Sequence, residues 1–331
     1  MITLSHGAGG KATQDLIKKT IMPRFRIRNV NFLGLDGFDD GSAVNVKKVG
    51  GKFFVFTSDS YTVKPLFFKG GDIGKLSVVG VVNDLSVMGA KPLAMHLNLI
   101  IEEGFDTGLL ERILDSIGKN AEKDGVAILG GDTKVMERGK VDQLVISAFG
   151  VGVADKVITD AGVKVGDDII VSGGVGEHEA AIIVEREGLN STVKSDCASL
   201  SRVVQKILRV GGVHAMKDLT RGGLSMALNE WSEKSGVGLE VGEEKIPVSR
   251  QVRSICRVYG FDPFNLACEG RVVVACDPGK SEKILNILKR GNAGAAVIGK
   301  AVKGGEVVIR NRFGGRKILR PLEGVMLPRI C

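Results

Sequence analysis

The side chains best equipped for chemistry in this sequence are carboxylates that recur at the ends of apolar runs. Asp39-Asp40-Gly41 precedes one such run, and Asp59-Ser60 closes another, KFFVFTSD. Asn83-Asp84 lies inside a run long enough for a buried helix. Gly130-Gly131-Asp132-Thr133-Lys134 follows Val126–Leu129, and Asp218-Leu219-Thr220-Arg221-Gly222-Gly223 opens a further helical stretch. Carboxylates from several loops are the hard oxygen ligands that Mg²⁺ uses when it holds a triphosphate. Glycines beside them let backbone N–H groups approach phosphate. An aspartate at such a place also serves as a helix cap or turn residue. Asp84 fits neither use, because a carboxylate in a buried helix is costly unless it is paired or metal-bound.

The second chemical group is thiol. The cysteines are Cys197, Cys256, Cys268, Cys276 and Cys331. None forms CxxC, and none has histidine at zinc-site spacing. An odd count without a secretion signal points to reduced thiols and a cytoplasmic protein. Four lie within the body of the sequence, three of them in or beside apolar segments, and read as core packing. Cys331 ends the sequence, after a stretch from 311 onward with Gly314-Gly315, Pro321, Gly324 and Pro328 and no regular pattern. Such an arm reads as an extended, mobile tail and spans about 65 Å when fully drawn out. Prolines in it limit the entropy lost on docking. Arg329, two residues before the thiol, is a cation that favours thiolate. On the residues alone, a carrier thiol and an incidental unpaired cysteine are equally good readings.

These groups need a scaffold, and 331 residues suffice for two domains of ordinary size. Apolar periodicity predicts a strand over 52–59, a helix apolar all round over 73–89, and a half-buried strand over 94–101. In that strand Leu97, Leu99 and Ile101 share a face opposite His96 and Asn98. A helix stripe runs through Leu109, Leu110, Ile113, Leu114 and Ile117, and strands follow at 126–129 and 144–153. Beyond a polar link near 154–168 come a strand at 169–172, helices at 179–187, 200–210 and 224–234, a strand at 271–276, a helix at 281–290 and a strand-like stretch at 297–309. The chain thus divides into a glycine-containing segment, 1–38, a first α/β domain, 39–154, a second, 155–310, and the tail, 311–331.

Several function classes are disfavoured. No GxxxxGK[ST] motif occurs, Gly174-Val175-Gly176 lacks the third glycine of a dinucleotide fingerprint, and no GxSxG is present. The net charge of +8 is scattered, with no basic run of five and few aromatics, so nucleic-acid binding is not expected. No stretch reaches the roughly 18 apolar residues of a membrane helix, so no membrane association is expected either.

The motifs together resemble one family end to end: the HypE-type hydrogenase maturation proteins, in the superfamily of aminoimidazole ribonucleotide synthetase and selenophosphate synthetase. The resemblance rests on His6-Gly-Ala-Gly-Gly10, Asp59-Ser-Tyr-Thr-Val-Lys-Pro-Leu-Phe-Phe68, Gly70-Gly-Asp-Ile-Gly-Lys-Leu76, Val82-Asn-Asp-Leu85, Gly131-Asp-Thr-Lys-Val135, Asp218-Leu-Thr-Arg-Gly222 and Pro328-Arg-Ile-Cys331. It implies two mixed α/β domains (an α+β arrangement), with the first domains of two subunits pairing into a β-barrel in a homodimer. It implies ATP and Mg²⁺ as cofactors, with Asp40, Asp84 and Asp218 at metal-binding positions. Asp59, Asn83, Asp132 and Thr133 would line the nucleotide site.

By the same resemblance, Cys331 would receive a carbamoyl group from the carbamoyltransferase HypF. The chain would dehydrate that group to a thiocyanate and pass cyanide to iron on the HypC–HypD complex. Glu269 is then the expected base and Lys134 the expected cation for developing charge. Two departures stand out: Ala267-Cys268-Glu269-Gly270 where the family usually has Ala-Asn-Glu-Gly, and Gly176-Glu177-His178-Glu179 where it often has Gly-Asp-His-Gly. The rival readings are another ATP-dependent synthetase of the superfamily and a non-catalytic ATP-binding carrier. The first is weakened by the lack of a reactive Cys near the N-terminus.

Overall fold

The computed structural model describes residues 10–16, 18–19, 35–37, 39, 42–45, 53–321, 323–324 and 327–331. Asp40 and the glycines before Gly10 lie outside the described residues. In the N-terminal segment, α1 (Lys11–Leu16) lies against the second domain: Gln14 donates to Glu230 and Lys18 to Glu233.

The first domain contains β1 (Ser42–Asn45), β2 (Phe53–Tyr61), the short pair β3 (Phe67–Phe68) and β4 (Gly71–Asp72), and α2 (Ile73–Val87). After these come β5 (Lys91–Glu102), α3 (Thr107–Asp124), β6 (Ala127–Met136) and β7 (Leu144–Ala154). Its main sheet has the order β1-β2-β7-β5-β6, antiparallel except for the parallel β5–β6 pair. The all-round apolar character of α2 is explained by its neighbours: one sheet face, α3 and the second domain all pack on it. The alternation along β5 holds as expected, with Leu97 and Ile101 buried and His96 and Asn98 exposed.

The strand expected over 126–129 is longer than its apolar residues suggested. It continues through the glycines and Asp132 to Met136 as the sheet's edge. A Cβ at Gly131 would lie 1.7 Å from the Leu97 carbonyl oxygen, so only glycine lets β6 pass there, beside a register shift at Met95/His96.

The block Gly70–Leu76 proves to be architectural. Asp72 caps α2 by accepting from the Lys75 N–H at 2.9 Å, and its other oxygen accepts from Ser116 of α3 at 2.8 Å. Gly74 admits the Ile113 carbonyl, 2.4 Å from where a Cβ would be. Gly70, at φ +103°, passes equally close to the Ser195 backbone of the second domain.

The second domain contains β8 (Asp168–Val171), α4 (Glu177–Arg186), α5 (Ser201–Val210), β9 (Val213–Asp218), α6 (Gly223–Ser235), β10 (Gly238–Gly242) and α7 (Arg250–Tyr259). It continues with β11 (Val272–Cys276), α8 (Pro278–Gly291), β12 (Ala296–Val302), β13 (Val307–Arg310) and β14 (Arg316–Ile318). The sheet order is β14-β13-β10-β12-β8-β11-β9. One face buries Val204, Ile207, Ile284 and Leu288 of α5 and α8, and the other Leu224, Leu228 and Trp231 of α6. The single strand-like stretch expected at 297–309 is two strands, β12 and β13. The segment after 310 is not wholly irregular: β14 pairs with β13 and completes the sheet edge.

Candidate functional site

Four pieces of backbone converge between the domains. β2 brings Thr57, Asp59 and Tyr61, and the last turns of α2 bring Asn83 and Asp84. The end of β9 brings Asp218 and Arg221, and the loop before β11 brings Cys268 and Glu269. The last two are fastened together, since Cys268 N–H donates to the Leu219 carbonyl at 2.7 Å and Leu219 N–H to that of Arg271 at 3.1 Å.

Glu269 is 3% exposed. Burial, then the neighbouring Asp218, Asp59 and Asp196 carboxylates, push its carboxyl well above the ordinary range, and Arg221 opposes them. Its backbone N–H is held by Asp196 at 3.0 Å, and that of Gly270 by the other Asp196 oxygen at 3.3 Å. Asn83 reaches the same loop. Its amide donates to the Glu269 carbonyl at 3.2 Å and the Ala198 carbonyl at 3.3 Å, and its oxygen accepts from Leu200 N–H at 2.8 Å. Asn83 therefore ties α2 to the Glu269 loop.

Asp84 is paired inside its helix: the Thr57 hydroxyl donates to it at 2.7 Å. Asp59 is raised by burial and lowered by Arg221, whose guanidinium lies 3.8 Å away. Tyr61 lies buried with its hydroxyl against Gly80, and burial first, then the charges of Asp59, Asp84, Glu269 and Cys331, push its phenol well above the ordinary value.

Cys331 is 7% exposed and sits in the first domain's core with Ile330. Its oxygen accepts from the Thr62 N–H at 3.0 Å, and the Arg329 carbonyl accepts from the Lys64 N–H at 3.1 Å, so two backbone hydrogen bonds fasten the tail beside 62–64. Burial raises the thiol well above its ordinary value. Arg221 is the cation that lowers it, against Glu269, Asp59 and Glu179. The expectation that Arg329 attends the thiol is corrected: its guanidinium donates to the Thr62 carbonyl at 2.8 Å and pairs with Asp142.

Asp132, Thr133 and Lys134 are placed elsewhere within the single chain. They are exposed on edge strand β6, next to Leu129 and Val135, which are 67% and 60% exposed. The outer sheet face continues this apolar surface with Leu93, Ile128 and Phe149, the last stacked on Phe56.

Both sequence departures have structural answers. The Cys268 sulfur accepts from the Gly176 N–H at 3.1 Å, at the start of α4. Glu177 pairs with Arg271 at 2.5 Å. Glu179 is buried, accepts from Ala267 N–H at 2.9 Å, and is pushed up to about 7 by burial.

Arg221, Tyr61 and His178 are the site residues that sequence reasoning missed. Arg221 and Tyr61 stood inside quoted motifs, but only the tertiary structure sets them beside Cys331. Among the described residues, no three His, Cys, Asp or Glu side chains stand close enough to enclose a metal ion unaided. Mg²⁺ on a triphosphate asks less, since one or two carboxylates with phosphate oxygens and water complete its shell. Asp84 and Asp218, on packed elements α2 and β9, have the donor chemistry for that role.

Comparison with known proteins agrees with this architecture. Residues 38–154 match the model of the AIR synthase related protein, N-terminal domain, and residues 164–311 that of its C-terminal domain. A carbamoyl dehydratase HypE from Rhodobacter capsulatus is 40% identical, covering 100% of this chain and 98% of its own length. The Escherichia coli (strain K12) carbamoyl dehydratase HypE is 36% identical, covering 100% and 99%. A crystal structure of the hydrogenase maturation protein HypE in complex with ATP superposes with a TM-score of 0.82 at 38% identity over 100% of both chains. One of a HypE–HypF complex does so with a TM-score of 0.86 at 38% identity, over 93% of this chain and 99% of that one. The chain belongs to the carbamoyl dehydratase HypE family, within the AIR synthase related proteins.

Proposed function

We propose that this chain is an ATP-dependent carbamoyl dehydratase of [NiFe]-hydrogenase maturation that works on a carbamoyl group carried by Cys331. The observation that carries this reading is the burial of Cys331 between the domains, near enough to Arg221 and Glu269 for both charges to act on its thiol.

A carboxamide oxygen is a poor leaving group. ATP supplies the phosphoryl group that turns it into phosphate, with a divalent ion sharing the charge. Asp59, Asp84, Asp218 and Asp40 are the proposed nucleotide and metal carboxylates, of which Asp40, Asp84 and Asp218 would hold a divalent ion. The two N–H protons leave one at a time: one passes to water as the oxygen is phosphorylated, and Glu269, as carboxylate, takes the other as the C–O bond breaks, C≡N forms and phosphate departs. Burial among carboxylates raises the proton affinity of Glu269 and Arg221 opposes this, so the step draws on the carboxylate form that Arg221 favours. Arg221 is the cation for the developing charge within the chain. Asn83 holds the Glu269 loop to α2.

The docked thiol is held neutral, so it is a poor nucleophile in that position. Loading with the carbamoyl group therefore belongs to an undocked tail, which meets the transferase HypF and later the HypC–HypD complex. The exposed apolar face of the first sheet supports a homodimer in which these faces pair. That pairing would bring Asp132, Thr133 and Lys134 out of solvent and beside nucleotide, Lys134 against phosphate or the developing oxyanion.

The mechanism is tested by labelling the carbamoyl oxygen with oxygen-18. Phosphorylation of that oxygen delivers the label to inorganic phosphate. Label released only to water contradicts it.

A further inference from the structure

The tail is held by more than its backbone hydrogen bonds to 62–64. α4 presents two side chains to it. The Arg186 guanidinium donates to three carbonyl oxygens at once: Lys64 through Nε, Pro328 through Nη1 and Arg329 through Nη2. One turn or more earlier on the helix, His178 is fully buried, with Nε2 2.7 Å from the Ile330 carbonyl oxygen and Nδ1 2.8 Å from the Ser195 hydroxyl. A carbonyl oxygen only accepts, so Nε2 carries the proton and Nδ1 accepts from Ser195. Ser195 in turn accepts from the Cys197 N–H at 3.0 Å, which fixes the hydroxyl's direction. On the other side of the tail, Arg329, at φ +58°, grips the Thr62 carbonyl and Asp142.

Carbonyls 328, 329 and 330 are thus each met by a donor from α4. We infer that Arg186 and His178 are positioning residues that clamp the tail and set how often the Cys331 sulfur leaves its buried seat. No part of the carbamoyl chemistry requires an arginine at 186, which touches neither the thiol nor Glu269. It does meet the carrier's need for a grip on backbone alone, one that works whatever group the sulfur bears. The inference rests on the reading of Cys331 as carrier, but its test needs no carbamoyl donor, ATP or turnover.

The test is the rate at which N-ethylmaleimide labels Cys331 in the full-length chain, followed by mass spectrometry of the C-terminal peptide. The other four cysteines, all buried, serve as internal reporters of the fold. Arg186→Ala removes three charge-assisted hydrogen bonds, so Cys331 labelling should rise at least about tenfold while the other four stay protected. Arg186→Lys restores only part of the protection, since one ammonium lacks the planar fork. His178→Phe should also expose the thiol, whereas His178→Gln, which offers an N–H near the Nε2 position, should label close to the wild-type rate. Asp142→Ala, an exposed substitution, should accelerate labelling about two- to threefold. Unchanged Cys331 labelling in Arg186→Ala overturns the clamp. So does acceleration shared by all five cysteines, which would make Arg186 a residue of general stability.

Discussion

Replacing Glu269 with glutamine keeps the side chain's shape and removes its capacity to take a proton. General acid–base catalysis contributes about 10²–10⁴-fold to a rate. At about 1.36 kcal/mol per tenfold, that is roughly 3–5 kcal/mol of barrier. Single-turnover dehydration of carbamoylated chain should slow by this factor, while ATP binding by calorimetry stays within about twofold.

The same variant has a stability signature. Burial holds the Glu269 carboxyl well above its ordinary 4.5. A carboxyl raised in the folded state costs stability as pH climbs from the unfolded value through the folded one. Glu269→Gln removes that cost, so the variant gains stability relative to wild type between pH 5 and 8, and the gain vanishes below pH 4. A wild-type dehydration rate in Glu269→Gln would refute the base. Loss of ATP binding together with turnover would show that the substitution acted by disturbing the pocket.

Other consequences follow from the same geometry. Glu179, pushed up to about 7 from 4.5 and buried, should cost wild type on the order of 3 kcal/mol between pH 4.5 and 8, so urea denaturation of Glu179→Gln should show a flatter pH profile. A steeper profile would contradict its assignment. Leu129→Glu with Val135→Glu places charge on the exposed edge and face of the first sheet. Light scattering should show the proposed dimer for wild type and monomer for this variant, and a dimer that persists in the variant would place the interface elsewhere. Lys134→Ala should slow dehydration by about 10²–10³-fold, the usual loss for one stabilising donor, without changing Cys331 labelling. An unaffected rate would leave Arg221 as the cation of the reaction.

Much of the fold was legible because periodicity reports burial. The helix apolar all round was α2, and the alternating strand was β5 with the expected faces. β9 was not legible because Lys217 is buried there, held by Asp160 and Glu230 at 3.2 and 3.0 Å, a pairing no local pattern reveals. α7 was hidden by its arginines, although Ser249 caps it. β6 outran its apolar residues because it is the sheet's edge strand and almost all of its residues are exposed, so no apolar run marks its length.

The site divides the same way. Glu269 and Cys331 were named from motif and resemblance, and the fold brings Glu269 near enough to Cys331 to raise its thiol. Asn83 was expected beside nucleotide, and its side chain bonds the Glu269 carbonyl and the backbone of Ala198 and Leu200. Arg221, Tyr61 and the α4 clamp act through backbone carbonyls or through space across segments far apart in sequence. Such relations leave no signature in residue spacing.

The central claim is that Cys331 carries the group this chain dehydrates. The most direct measurement is the mass of the C-terminal peptide after incubation with HypF, carbamoyl phosphate and ATP. A carbamoyl adduct on Cys331 that then loses one water is the predicted result, with no adduct in Cys331→Ala. A carbamoyl adduct that persists while ATP is present, or one found on another cysteine, would contradict it.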